Sequence, residues 1–220
     1  MSVLIFANGV IEKLDWIRPY LDQATVVIAA NGASRHLVAL NVRPDIVIGD
    51  LDSLPEAVRE EWETAGTRIV THPAEKDETD LELVLLYAVL HYDGPILVFG
   101  AMGGRLDQMI SNVLLLAHPA LAGQEVLLVE LFQKAWLITT ETEIQGEVGD
   151  LVSLIPLNEA VEIGRTTGLK WQLEKESLQF GLARGISNVM TESRAVIEVV
   201  SGLLLCVHID RQYFLYDDKP

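Results

Sequence analysis

Two acidic side chains lie close together in the segment Gly-Asp-Leu-Asp-Ser at 49–53, directly after the apolar run 46–48. Carboxylates at this spacing repel each other unless a cation lies between them. Hard oxygen ligands suit Mg²⁺, which typically takes one or two carboxylates and fills its other positions with water and phosphate oxygens. The alternative is that Asp52 or Ser53 only caps the following helix, and the segment alone leaves both interpretations open.

A second acidic segment, Glu-Lys-Asp-Glu-Thr-Asp at 75–80, follows the apolar run 68–70 and also leads into a helical pattern. Its glutamates fit a solvated loop whose negative charge favours a helix N-terminus. Asp80 is different, because it lies at the start of an apolar helix that points back toward the strand ends. Lys76 either balances the neighbouring acids or reaches a phosphate.

A glycine-rich turn, Gly-Ala-Met-Gly-Gly-Arg-Leu-Asp-Gln at 100–108, follows the apolar run 96–99 and opens another helix. Glycines let backbone amides approach an anion closely, and the helix N-terminus adds a favourable field. Arg105 supplies a planar fork that matches phosphate oxygens. The turn is neither a P-loop nor a dinucleotide fingerprint, because the lysine and the glycine spacing of those motifs are absent, and a tight structural turn is the alternative.

The three segments together predict magnesium and polyphosphate chemistry. Three successive strand ends supply a carboxylate pair, a further carboxylate and a glycine–arginine turn. Phosphoryl transfer needs such parts because it depends mostly on positioning and on charge neutralisation.

The elements that must position these segments alternate between strands and helices. Apolar runs predict strands buried on both faces of a sheet at 3–7, 25–30, 46–48, 68–70 and 96–99. Capping boxes, formed by Ser53 with Glu56 and by Thr79 with Glu82, predict helices to about residue 65 and over 81–91, and a third helix is predicted over 106–117. This alternation predicts a doubly wound α/β domain with a mostly parallel sheet.

The pattern changes near residue 134, so we predict domains at 1–134 and 135–220. Short β-like runs separated by glycines follow, at 136–140, 151–156, 178–180, 195–200 and 203–209. They predict a smaller antiparallel β-sandwich or barrel. Within it, Trp171 follows a glycine and a lysine and offers a flat face to an aromatic or cationic ligand, although a core or interface position is the alternative.

Composition excludes several classes of function. The 220 residues carry a net charge of -16, which argues against nonspecific binding to nucleic acid or to an anionic membrane. Cys206 is the only cysteine, so no intramolecular disulfide is expected. No apolar run approaches the roughly 20 residues of a membrane span. We expect a soluble, cytoplasmic protein.

The combination of segments resembles the thiamine pyrophosphokinase family. The resemblance covers nearly the whole chain in the right order. It rests on the following residues: Gly-Asp-Leu-Asp-Ser at 49–53, Lys-Asp-x-Thr-Asp at 76–80, Gly-Gly-Arg-x-Asp at 103–107, Thr-Thr-Gly-Leu-Lys-Trp at 166–171, and Ser187-Asn188. It implies an α/β catalytic domain that binds ATP and Mg²⁺, and a β-sandwich that helps to bind thiamine. It also implies a homodimer with active sites between the subunits.

The family reaction is attack of the thiamine hydroxyl on the β-phosphorus of ATP, with release of AMP. The resemblance assigns Mg²⁺ to Asp50, Asp52 and Asp80. It also assigns phosphate contacts to Arg105 and the adjacent glycines. The hydroxyl proton is expected to go to either Asp77 or Asp80, and the sequence does not choose between them. The remaining nucleotide- and substrate-binding residues implied are Asn31, Gly32, Lys76, Thr79, Gly103, Gly104, Asp107, Gln108, Trp171, Ser187 and Asn188.

One position departs from the family pattern. The second strand ends in Ala-Ala-Asn-Gly-Ala at 29–33, where the family usually carries Asp-Gly. Asn31 forms hydrogen bonds but supplies no charge to a metal or to a cationic substrate. Two alternatives therefore stay open: a pyrophosphokinase for another heterocyclic alcohol, such as a hydroxymethylpterin, and a non-catalytic nucleotide-sensing protein.

Overall fold

The computed structural model describes residues 2–52, 54–73 and 77–212, and the chain divides into two compact units between Leu131 and Phe132. The sequence-based boundary is at 134. No helix in the described part of the chain has the length and apolar character needed to cross a membrane.

The first unit is built on a parallel sheet of six strands. These are β1 Ser2–Phe6, β2 Ala24–Ala30, β3 Ile46–Gly49, β4 Arg68–Thr71, β5 Ile96–Phe99 and β6 Val126–Val129. Their order in the sheet is β6-β5-β1-β2-β3-β4, and every neighbouring pair is parallel. Strands β1, β2, β3 and β5 are almost entirely buried, as expected when crossover helices cover both faces. The predicted doubly wound α/β fold is confirmed.

Five helices connect these strands. They are α1 Arg18–Leu21, α2 Ser34–Leu40, α3 Glu56–Thr64, α4 Asp80–His91 and α5 Leu106–Leu115. The Thr79 cap is confirmed, since its Oγ1 accepts a hydrogen bond of 3.2 Å from the Glu82 amide. The predicted start of α3 at Ser53 is wrong, because Pro55 occupies the N-cap position. Proline disfavours helical geometry at the residue before it, so the helix begins only at Glu56. Ser53 itself lies outside the described residues.

The second unit consists of two antiparallel sheets. Its strands are β7 Gln133–Ile138, β8 Glu141–Gln145, β9 Leu151–Pro156, β10 Ala160–Thr167, β11 Glu174–Gln179, β12 Asn188–Val189, β13 Arg194–Ser201 and β14 Leu204–Ile209. One sheet has the order β12-β9-β14-β7 and the other β11-β10-β13-β8. Buried side chains from both sheets, such as Leu154 and Ile197, share one apolar core. The predicted small β-sandwich is confirmed.

Candidate active site

The strand order of the first unit creates a switch point at β1. The chain adds β2, β3 and β4 on one side of β1, and β5 and β6 on the other. Ligands of open α/β sheets bind in the crevice outside the carboxyl ends of the strands at such a point. Phe6 and Phe99 end the neighbouring strands β1 and β5, and their ring centroids lie 5.4 Å apart. This contact fixes the ends from which the loops at 7–10 and 100–105 begin.

Backbone hydrogen bonds join these two loops. The Ala7 amide donates to the carbonyl of Phe99, the last residue of β5, over 2.8 Å. The amides of Gly9 and Val10 donate to the carbonyls of Gly100 and Gly103 over 3.0 and 3.2 Å. A Cβ atom at Gly103 would lie 2.1 Å from the carbonyl oxygen of Val10. Glycine at 103 is therefore required by the close approach of the loops, in addition to any role in binding phosphate.

A pocket of about 500 Å³ opens beside the joined loops. It is lined by residues 7–10, by Ala30 and Arg35, by residues 79–81 and 103–105, and by Gln108 and Asn112. Six residues predicted from the sequence to belong to the site share this pocket: Thr79, Asp80, Gly103, Gly104, Arg105 and Gln108. The volume falls in the range of small-molecule sites, which is about 300–1,000 Å³.

Helix α2 holds the first loop from one side. The Arg35 guanidinium donates to the carbonyl oxygens of Asn8 and Gly9 over 2.7 and 3.0 Å. The His36 ring donates through Nε2 to the same Gly9 oxygen over 2.9 Å. Burial lowers the pKa of His36, so this ring stays neutral at pH 7. Gly32 leaves room for the Asn8 side chain, which a Cβ atom there would meet at 2.5 Å.

The carboxylates of Asp50 and Asp52 come together around the side chain of Asn31. Its Nδ2 atom donates to Asp50 Oδ1 over 2.6 Å and to Asp52 Oδ1 over 3.0 Å. Leu51, between the two acids, has φ +66°, a strained value for a residue other than glycine or asparagine. Strain of this kind persists only where the surrounding structure imposes it, and it concentrates at functional sites.

The third predicted metal ligand, Asp80, lines the pocket beside Thr79. Within 2–52, 54–73 and 77–212, no group of three or more histidine, cysteine, aspartate or glutamate side chains is arranged to hold a metal. The preformed acidic cluster is therefore a pair. Asp77 is exposed, and Lys76 lies outside the described residues.

Arg105 forms an ion pair with Asp107 at the start of α5. Its Nε and Nη2 atoms donate to the two carboxylate oxygens over 3.1 and 2.5 Å. The guanidinium lowers the pKa of Asp107, and both side chains are largely exposed. Exposed pairs of this kind contribute little to stability, so Arg105 can exchange its partner for another anion.

Two side chains missed by sequence reasoning, one buried and one partly buried, hold the glycine-rich loop. Asn112 donates to the Ala101 carbonyl over 2.8 Å, and Glu130 accepts from the Met102 amide over 3.3 Å. Burial raises the pKa of Glu130 to about 7, although the hydrogen bonds from Met102 and Gly100 oppose that shift. The available signal was the position of Glu130 directly after an apolar run, 126–129, which ends at the same edge of the sheet. The same rule, applied to the end of β1, would have indicated Asn8.

In the second unit, Trp171 is 55% exposed, and Lys170 Nζ lies 4.8 Å from the centroid of its ring. Asn188 is buried beneath it. The Asn188 Oδ1 atom accepts from the Trp171 amide over 3.0 Å, and Nδ2 donates to the Trp171 carbonyl over 2.6 Å. Asn188 therefore positions Trp171 through its backbone. Ser187 is exposed, and its amide donates to Ser153 Oγ over 3.0 Å.

Two family models match the chain. Residues 17–128 match the catalytic domain of thiamin pyrophosphokinase, and residues 138–204 match the vitamin B1 binding domain of the same enzyme. The chain belongs to the thiamine pyrophosphokinase family. The range that matches the catalytic domain includes Asn31, Asp50, Asp52, Asp80 and Arg105. The range that matches the vitamin B1 binding domain includes Trp171, Ser187 and Asn188.

Individual members of the thiamine pyrophosphokinase family match over most of their length. A thiamine pyrophosphokinase of Bacillus subtilis is 27% identical, over 94% of this chain and 97% of its own. Thiamine pyrophosphokinase 3 of Oryza sativa subsp. japonica is 28% identical, over 86% and 80% of the two chains. The crystal structure of the Bacillus subtilis enzyme superposes with a TM-score of 0.84, covering 96% of this chain and 99% of that one at 27% identity.

Proposed function

We propose that this chain transfers a pyrophosphoryl group from ATP to the hydroxyl of thiamine, giving thiamine diphosphate and AMP, with Mg²⁺ as cofactor. The observation that carries the proposal is the match of both family domains, in order, to a chain whose first unit has a pocket at the switch point of its sheet. The pocket contains the two features that a triphosphate needs, an arginine and closely packed glycine loops.

Asp50 and Asp52 are the residues that would hold the cation. Both carboxylates have one oxygen within 3.0 Å of the same atom, Asn31 Nδ2, so their oxygens already converge. A converging pair of hard oxygen donors fits Mg²⁺, which completes its shell with water and phosphate oxygens. Bound there, Mg²⁺ would neutralise charge on the triphosphate and on the departing AMP.

Arg105 and the loop residues Gly103 and Gly104 would bind and orient the triphosphate beside the pocket. Transfer forms a bond between the thiamine hydroxyl oxygen and the β-phosphorus, and it breaks the bond from that phosphorus to the oxygen shared with the α-phosphate. AMP leaves with that oxygen, and the hydroxyl proton goes to a carboxylate. Of the two candidates, we favour Asp80 because it lines the pocket, whereas Asp77 is exposed.

Trp171 would bind the thiamine. Its exposed ring face suits a cationic thiazolium ring, and the Lys170 ammonium near that face shows that a cation is tolerated there. The net charge of -16 would attract the same cation over longer distances.

We also propose a homodimer with active sites at the subunit interface. An apolar stripe on α5 supports an association surface, since Leu106, Ile110 and Leu114 are 70%, 51% and 52% exposed. Sedimentation equilibrium of the full chain tests this: a mass near twice 24.3 kDa is expected, and a monomer at micromolar concentration would contradict it.

The test of function is to incubate the chain with ATP and Mg²⁺ and one alcohol at a time, with AMP followed by chromatography. Thiamine should yield AMP and thiamine diphosphate in equal amounts, whereas a hydroxymethylpterin and a reaction without alcohol should yield neither. AMP with the pterin alone would assign a different substrate. Binding of ATP without AMP from any alcohol would favour a nucleotide sensor.

A further inference from the structure

Only one of the two polar atoms in the side-chain amide of Asn31 forms hydrogen bonds within the described residues. The residue is 7% exposed, and its Nδ2 atom donates to both carboxylates of the pair, Asp50 and Asp52. Its Oδ1 atom is buried and accepts no hydrogen bond from any residue in the described ranges. A buried carbonyl-type oxygen without a donor is costly, so its retention calls for a physical reason.

The rest of Asn31 is fixed in place. Its backbone carbonyl accepts a hydrogen bond of 2.8 Å from Ser34 Oγ, and its φ angle is +27°. On the other side, a Cβ atom at Gly49 would lie only 2.5 Å from the Cβ of Asn31. The side chain is therefore packed closely at its base. Rotation about the Cβ–Cγ bond remains, because this torsion in asparagine is broad and roughly two-fold.

The two orientations of the amide suit opposite states of the carboxylate pair. With Nδ2 inward, partial positive charge lies between two negative groups and takes the place of a cation. With Oδ1 inward, an oxygen would lie about as close to both carboxylates, which is repulsive on its own. A divalent cation reverses that preference, since three oxygens would then surround it.

We propose that Asn31 is a two-position ligand: its amide nitrogen bridges Asp50 and Asp52 while the cation is absent, and its Oδ1 atom turns inward to bind the cation when it enters. The inference rests on the proposed function, because it requires a divalent cation at this pair. It accounts for the unpartnered Oδ1 atom, whose partner is the cation. It also gives asparagine a specific role at the position where the sequence departs from the family pattern.

The test is nuclear magnetic resonance of the ¹⁵N-labelled full chain during titration with Mg²⁺. The side-chain amide signal of Asn31 is assigned by its loss in Asn31→Asp. Without Mg²⁺ this signal should be shifted downfield by its two charged acceptors. On titration it should move to the position of an unbonded amide, with the same midpoint as Mg²⁺ binding measured by calorimetry. An Asn31 signal that stays in place while Mg²⁺ binds would overturn the proposal.

Substitution supplies a second readout, again without turnover. Asn31→Ala should weaken Mg²⁺ binding by about tenfold or more, because it removes one ligand. An amide that merely competed with the cation would give the opposite result, tighter binding in Asn31→Ala, and that outcome would also reject the proposal. The matched control is Asn41→Ala, since Asn41 is exposed and also has a positive φ, +55°. It should leave the affinity unchanged.

Asp52→Asn separates this proposal from the proposed function. If Asp52→Asn leaves Mg²⁺ affinity unchanged, or if no Mg²⁺ binds with or without ATP, the cation site itself is wrong and both proposals fail. If Asp52→Asn abolishes binding while the Asn31 signal of the unmodified chain never moves, the cation site stands and only the role of Asn31 is rejected.

Discussion

Two buried asparagines, one in each unit, are used in different ways. Asn188 is 4% exposed, and both ends of its amide are bonded to the backbone of Trp171. Asn31 is 7% exposed, yet only its nitrogen is bonded, to two carboxylates, while its oxygen has no partner in the described part of the chain. A fully satisfied amide is a static support. A half-satisfied one marks a place where a ligand is expected to complete the set.

The largest effect is expected at the carboxylate pair of Asp50 and Asp52, where the half-bonded side chain of Asn31 indicates the cation site. Asp52→Asn should lower kcat/KM with thiamine and ATP by at least about 100-fold, because it removes a charged ligand of the proposed cation. The fold should persist, since asparagine retains an oxygen that can accept from Asn31. Steady-state kinetics and circular dichroism check both points. The same change at exposed Asp93 is the control, and equal activity of the two variants would contradict the assignment.

Glu130 sharpens the comparison because it is a partly buried polar group that titrates. Burial raises its pKa to about 7 from an ordinary value of 4.5. Between pH 4.5 and pH 7, the Glu130 carboxyl therefore keeps its proton in the folded chain and loses it in the unfolded chain. The contribution of Glu130 to the free energy of unfolding is complete below pH 4.5 and is lost as the pH rises through 7. Relative to Glu130→Gln, the free energy of unfolding of the unmodified chain should fall by about 2–3 kcal/mol from pH 5 to pH 8.

Urea unfolding of the unmodified chain and of Glu130→Gln at several pH values measures this difference in the free energy of unfolding. The contributions of other titrating groups cancel, because both proteins contain them. A difference that does not change with pH would mean that Glu130 is ionised throughout, and the glycine-rich loop would then be held by a permanent charge.

Asn188→Ala tests the static member of the comparison. It should lower the free energy of unfolding by about 2 kcal/mol, because two backbone groups of Trp171 lose their partners. It should also raise the KM for thiamine more than the KM for ATP. The loss of stability should be the same with and without Mg²⁺, whereas that of Asn31→Ala should depend on Mg²⁺. Thermal unfolding of both variants, with and without Mg²⁺, measures this. The same response to Mg²⁺ in the two variants would contradict the distinction between the two asparagines.

The smallest effect is expected at the exposed pair of Arg105 and Asp107. Asp107→Asn should leave the urea midpoint unchanged and alter the KM for ATP by no more than about threefold, because exposed ion pairs are screened and weak. Arg105→Gln should raise the same KM by about tenfold or more, since it removes the proposed phosphate contact. Similar KM values in the two variants would argue that the ion pair, and not the arginine alone, forms the site.

Much of the fold could be predicted because its strands are buried on both faces. The apolar runs at 25–30 and 96–99 correspond to β2 and β5 within one residue at each end. The run forming β6 is equally apolar and was overlooked. In the second unit, β8 and β10 were missed for a physical reason: no two consecutive residues of either strand are buried, so both strands read as polar.

The candidate site could be predicted only in part. The rule that the carboxyl ends of parallel strands share one edge of the sheet located Asp80 and Arg105, which lie in segments that follow strands. It missed Arg35 and Asn112, which come from within helices and contact loops that are distant in sequence. It also gave no indication that Asn188 supports Trp171, since that pairing depends on the tertiary approach of segments 17 residues apart.

The most direct test of the central claim is a crystal structure of the chain with ATP and Mn²⁺, in which anomalous scattering locates the metal. We predict one Mn²⁺ peak bound to a carboxylate oxygen of both Asp50 and Asp52 at about 2.1–2.2 Å, with a phosphate oxygen in the same shell. A nucleotide-bound structure with Mn²⁺ elsewhere, and the two carboxylates still bridged by Asn31 Nδ2, would contradict the account.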